Sequence, residues 1–172
     1  MGRPTAKQIV SRQADWEAEV SVKLPVLLSD LLHCQDCADS PPKSHGVYLF
    51  SDHGTPMYVG RTGRTERSIA ANKVSHSNFA SRRRGHITPR HTSGTYAYRL
   101  AVAAFAERKK PLAGTREANS QDTEFMAEFR SQCERVKAME FRVVEITDDK
   151  LAAVFEVYAA TVLKTKNSWA TS

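Results

Sequence analysis

The stretch Gly46-Val47-Tyr48-Leu49-Phe50, then Ser51-Asp52-His53-Gly54-Thr55 and, after Pro56, Met57-Tyr58-Val59-Gly60, decides how the rest of the chain is read. Both outer runs are short and rich in β-branched and aromatic residues. The segment between them holds the Asp and Gly that tight connections prefer, so a β-hairpin is predicted. Successive side chains of a strand point to opposite faces. Val47 and Leu49 therefore go one way, Tyr48 and Phe50 the other. A hairpin centred on His53 sets Tyr48 opposite Tyr58, with both phenols on one face. Cross-strand tyrosine pairs are also ordinary packing units, so the pair alone defines no site.

Upstream, Trp16, Val20, Leu24, Leu27 and Leu31 recur at spacings of three and four. They predict a helical N-terminal extension, residues 1–44 with its linker, broken at Pro25. The main domain is expected over 45–172, after the turn-rich Asp39-Ser40-Pro41-Pro42-Lys43-Ser44. Downstream, residues 61–77 are polar and irregular. Helices are expected from Asn78 to His86, Thr95 to Lys109 and Asp122 to Ala138, with residues 111–120 a loop. Phe141 to Ile146 reads as a strand, and Asp148-Asp149 caps a last helix running to about Leu163.

The chain has 172 residues, 41% of them apolar and 26% charged, which suits an ordinary compact domain. No apolar run approaches the roughly 20 residues that cross a bilayer, so no membrane role is expected. Met1 to Ala6 lacks the short apolar core of a signal peptide. Three cysteines fit a reducing compartment, and a cytoplasmic address is the expectation. The formal charge is +6. From Arg61 to Arg90, eight basic residues (Arg61, Arg64, Arg67, Lys73, Arg82, Arg83, Arg84, Arg90) face one acid, Glu66, a net +7. One segment thus holds the whole excess, and such a patch concentrates polyanions.

Arg82 and His86 are four apart, on one face of their helix. A guanidinium can grip phosphate oxygens bidentately, and an imidazole can move a proton near neutral pH. In the last helix Leu151, Phe155, Tyr158 and Val162 form an apolar stripe. Glu156 falls on a second flank among Ala152, Ala159 and Leu163. A carboxylate so placed lies at a rim or binds something, and hard cations such as Mg²⁺ take carboxylate oxygens. Cys34-x-x-Cys37 beside His33 is half of a zinc pattern with no second half, and is set aside.

Taken in order, these pieces resemble the GIY-YIG nucleases. Gly46-Val47-Tyr48 and Tyr58-Val59-Gly60 are similar to the two motifs that name the family. Asn78 to His86, with Phe79, Arg82 and His86, resembles the helix that carries the family's arginine and histidine. Glu156 matches its metal-binding glutamate, and Thr165-Lys166-Asn167 its closing asparagine segment. One spacing departs from the family: Gly60 and Arg82 are twenty-two residues apart, so 61–77 reads as an insertion. Arg67, nearer the usual distance, is the alternative, but it lacks an apolar residue three before and a histidine four after.

The resemblance implies a mixed α/β fold: a small, mainly antiparallel three-stranded sheet (46–52, 56–62, 140–147) flanked by helices. It implies a DNA endonuclease using Mg²⁺ or Mn²⁺ held by Glu156. Tyr48 would take a proton from water, Tyr58 would position or relay, and Arg82 would stabilise the phosphate. His86 would assist proton movement or grip a phosphate, and Asn167 would orient Glu156 or the backbone phosphate. Arg61, Arg64, Arg67, Lys73, Arg83, Arg84 and Arg90 would contact DNA. The rival reading is a nucleic-acid-binding module of the same fold that does not cut. Binding alone gives no reason for Glu156.

Overall fold

The computed structural model describes residues 6–63, 77–90, 92 and 94–165, with side chains from residue 12. Arg64, Arg67, Lys73 and Asn167, together with most of the 61–77 segment, lie outside the described residues. Along the chain run α1 (Ala6–His33), β1 (Gly46–Asp52), β2 (Thr55–Arg61), α2 (Phe79–Ile87), α3 (Thr95–Glu107), α4 (Arg116–Asn119), α5 (Thr123–Ala138), β3 (Glu140–Glu145) and α6 (Asp149–Val162). The three strands form one antiparallel sheet in the order β2-β1-β3. The fold is the expected mixed α/β, with helices on both faces of a small sheet.

Why β1 lies in the middle is visible in its composition. Gly46 to Ser51 are all buried, which requires cover on both sides, and β1 carries apolar residues at odd and even positions alike. Tyr48 and Phe50 join Phe141, Phe79, Tyr96, Phe105, Phe125 and Phe129 in one core, under α2, α3 and α5. On the opposite face Val47, Leu49, Val59 and Ile146 pack with Phe155 and Ala159 of α6 and with Val20, Leu24 and Leu31 of α1. Each fully buried phenylalanine or leucine contributes about 1.5–3 kcal/mol. The N-terminal helix is thus one wall of the second core.

The hairpin register differs from the expected one by two residues. Tyr48 pairs with Gly60, and Tyr58 with Phe50. A β-bulge lies between the Ser51–Pro56 and Phe50–Tyr58 pairs, leaving Met57 as the extra residue. Without it Tyr58 would pair with Leu49 and point to the α1–α6 face. The bulge therefore puts both tyrosines on the same face, diagonally rather than directly opposed.

Three smaller expectations are corrected. Helix α1 runs unbroken through Pro25. Its proline ring and the carbonyl left without a donor lie on the solvent side, while Leu24 and Leu31 are buried on either side of the proline. Their burial offsets the ~3 kcal/mol that an interior proline costs. Trp16 and Val162, assigned to apolar stripes, are 45% and 49% exposed: Trp16 lies one turn before Val20, the first residue of α1 in the core, and Val162 is the last residue of α6. Residues 111–120 contain the single turn α4, capped by Thr115. Asn78, Asp122 and Asp148 cap α2, α5 and α6. Among the described residues no helix is long and apolar enough to cross a membrane.

Candidate active site

At the β2 edge of the sheet lies a cleft of about 490 Å³, lined in part by Tyr48, Tyr58, Arg61, Arg82, His86 and Glu156. Five of the six residues expected to act together thus meet in one place, from β1, β2, α2 and α6. The asparagine capping α2 fixes the entry of that helix through a reciprocal pair: Ser81 N–H donates to Asn78 Oδ1 (2.8 Å) and Asn78 N–H to Ser81 Oγ (2.9 Å). Phe79 is fully buried and anchors the first turn. With that end held, Arg82 and His86 face the tyrosines one turn apart. Glu156 comes from α6, which packs behind the sheet, and reaches round the edge strand to the same cleft.

Gly60 opposes Tyr48, and a Cβ there would overlap the hydroxyl end of the tyrosine, 2.5 Å from Cζ. The glycine lets the phenol lie across β2, with its ring 6.3 Å from that of Tyr58. Tyr96 stacks on Tyr58 at 4.7 Å and holds it from the other side.

Tyr48 Oη and His86 Nε2 are 2.8 Å apart. On the far side of the imidazole, Nδ1 receives the backbone N–H of Tyr96 in a long bond of 3.4 Å. An amide N–H can only donate, so Nδ1 is the bare nitrogen and Nε2 carries the hydrogen. His86 therefore donates to Tyr48, and the Tyr48 proton points elsewhere. Burial, helped by the nearby Arg82 charge, pushes the imidazole pKa down to about 3. It is neutral at physiological pH.

The other groups are held as follows. Burial is the main cause that raises the Tyr48 pKa well above its ordinary value, with Tyr58 and Glu156 adding to it and Arg82 opposing. Tyr58 is raised by burial and then by Glu156, against Arg99 and Arg82. Glu156 is itself raised by burial, while Arg61 and Arg82 pull it down. Its Oε2 accepts Arg61 Nε at 3.0 Å. The cleft thus holds two protonated phenols and one carboxylate shared with a guanidinium.

Arg61 was expected on a DNA-facing segment; it sits in the cleft, paired with Glu156. Strand alternation carried the signal, since Arg61 shares a face with Val59 and so with the helix that bears Glu156. Arg83 turns away and donates to the Lys137 carbonyl at 3.2 Å. Arg84 and Arg90 line an adjoining groove. Cys34 and Cys37 donate to the Leu31 and Phe141 carbonyls, and all three cysteines are free thiols. Ser77, Ser81, Thr92 and Thr95 complete the cleft wall, and nothing in the sequence marked them out. Equally invisible was the Tyr96 amide that sets the His86 tautomer.

Among the described residues no three His, Cys, Asp or Glu side chains converge as a metal cage. The donor set is one carboxylate with phenol oxygens beside it. That does not suit zinc. It fits Mg²⁺, which keeps several waters and binds through one or two carboxylates together with substrate phosphate. Comparison of the chain with known protein families, with curated proteins and with solved structures gave no match.

Proposed function

We propose that this chain is a metal-dependent endonuclease of the GIY-YIG type, hydrolysing phosphodiester bonds in DNA. The observation that carries the reading is the meeting of Tyr48, Tyr58, Arg82, His86 and Glu156 in one cleft. The excess of positive charge beside it favours a polyanionic substrate. The three free thiols favour a reducing, cytoplasmic setting.

A bound Mg²⁺ or Mn²⁺ supplies a Lewis acid for the charge that develops on the phosphate. Glu156 would hold it, its carboxylate fixed by the hydrogen bond from Arg61 Nε to Oε2. Arg82 grips the non-bridging phosphate oxygens. Tyr48 can pass its proton to Tyr58 as Tyr58 releases its own to solvent, a transfer that Arg82 favours and that positive charge beside Glu156 would favour further. The Nε2–H of His86 then stabilises the tyrosinate, which takes the proton of the attacking water. His86 acts here as a donor, never as the base.

The deciding experiment is incubation of the purified protein with supercoiled, branched and single-stranded DNA, with Mg²⁺, with Mn²⁺ and with EDTA. Nicking or cutting is expected only with a cation. DNA bound but left intact under every condition would replace this reading with that of a binding module.

A further inference from the structure

Gly85 lies inside α2, between Arg84 and His86. An interior glycine weakens a helix relative to alanine, so its presence calls for a cause. Two usual causes are missing. Its φ is not among the positive ones, and among the described residues nothing lies within 4 Å of where its Cβ would be. Neither the backbone nor a packed neighbour asks for a glycine.

What Gly85 does border is two hollows. One is the cleft with the tyrosines and Glu156. The other is a groove of about 250 Å³ lined by Ser81, Arg84, Gly85, Thr88, Arg90 and Thr92. Ser81, Gly85 and Thr92 belong to both, so the hollows run together along one flank of α2, with Gly85 as the saddle. Among the described residues the groove's lining holds two arginines, three hydroxyl side chains and no carboxylate. The Ser81 and Thr88 hydroxyls already donate to the Asn78 and Arg84 carbonyls, so the two guanidiniums and the Thr92 hydroxyl are the donors that this set offers to one singly charged oxyanion.

We propose that this groove is the subsite for a phosphate flanking the scissile one, and that the DNA strand crosses from cleft to groove over Gly85. Arg84 and Arg90 hold the flanking phosphate, with Thr92 completing its hydrogen bonds. The saddle is bare because a sugar-phosphate backbone must approach the helix there. This rests on the nuclease reading and adds the path of the strand.

The test is binding of a short labelled DNA oligonucleotide to the full chain in EDTA, so that no cleavage intervenes. The proteins compared are wild type, Gly85→Ala, Gly85→Leu and the double variant Arg84→Ala/Arg90→Ala. Gly85→Ala should melt at or above the wild-type temperature, since alanine favours the helix. Its affinity should nevertheless fall, and that of Gly85→Leu further, by about tenfold or more. The double variant should flatten the salt dependence of binding by about one unit of log–log slope, since one phosphate is no longer neutralised. Gly85→Leu binding like wild type, or an unchanged slope, overturns the subsite. If the wild type still cuts DNA with Mg²⁺ in that case, the nuclease reading stands alone. A wild type that neither binds nor cuts overturns both. Should Gly85→Leu fail to fold, Gly85→Ala decides: affinity equal to wild type at equal or higher stability refutes the saddle.

Discussion

Tyr48 and His86 are joined by a buried hydrogen bond of 2.8 Å whose direction is set by a third group, the Tyr96 amide. A histidine that already receives a proton donor on Nδ1 cannot gain a proton there without breaking that bond. This agrees with the pKa pushed down to about 3 by burial.

The stability of the protein should therefore depend on pH through His86. Unfolded, the imidazole titrates near 6.5; folded, near 3, so between these values the unfolded chain binds the extra proton. Stability should fall as pH drops through that window, by up to about 1.4 kcal/mol per pH unit. Replacing His86 by Gln keeps an N–H donor and should remove this share of the slope. Urea midpoints of both proteins at neutral and acidic pH measure it. Parallel curves would show that His86 does not carry the effect.

Gly60→Ala should damage the site without touching any titrating group. The added methyl overlaps the hydroxyl end of Tyr48, and overpacking of this kind costs about 1–3 kcal/mol. The ring must swing away from His86. A lower melting temperature and a change in aromatic circular dichroism are expected, with cleavage abolished. An unaltered melting curve would mean that the β2 edge yields instead of the tyrosine.

Glu156→Gln should fold and bind DNA as well as wild type or slightly better, since one negative charge is gone and the amide oxygen still accepts Arg61 Nε. Cleavage should vanish. Measuring both properties on one preparation separates loss of chemistry from loss of fold. Cutting at the wild-type rate would place the metal elsewhere.

Arg82→Ala should slow turnover about a hundredfold or more, as removing a donor to the transition-state charge does. Binding should weaken far less. Single-turnover rates at saturating enzyme are the measurement. A variant that binds poorly but cuts at the normal rate once saturated would reassign Arg82 to DNA capture.

Much of this was readable from residue order. The hairpin followed from alternation around Asp52-His53-Gly54 (Tyr48 and Phe50 against Val47 and Leu49), and the caps at Asn78, Asp122 and Asp148 marked three helix starts. Glu156 stood out as an acid among small apolar residues. The register did not, because a bulge changes pairing without changing composition. Pro25 read as a break because local propensity ignores the leucines packed on either side of it. Arg61 was counted as one charge in a basic run, whereas its partner lies 95 residues on. Alternation gives the face of Arg61, but a partner at that range leaves no local signal.

The bulge at Met57 also bears on how sequences of this kind are compared. It absorbs one residue without changing the face on which Tyr58 lies. The two tyrosines stand ten apart in this chain, yet a plain hairpin lacking the Met57 position would place them identically at about nine. Distance along the chain is thus an elastic coordinate here. A pattern that demands one fixed gap between the tyrosines would discard chains whose hairpins present the same face, and a pattern that allows a one-residue slip would keep them.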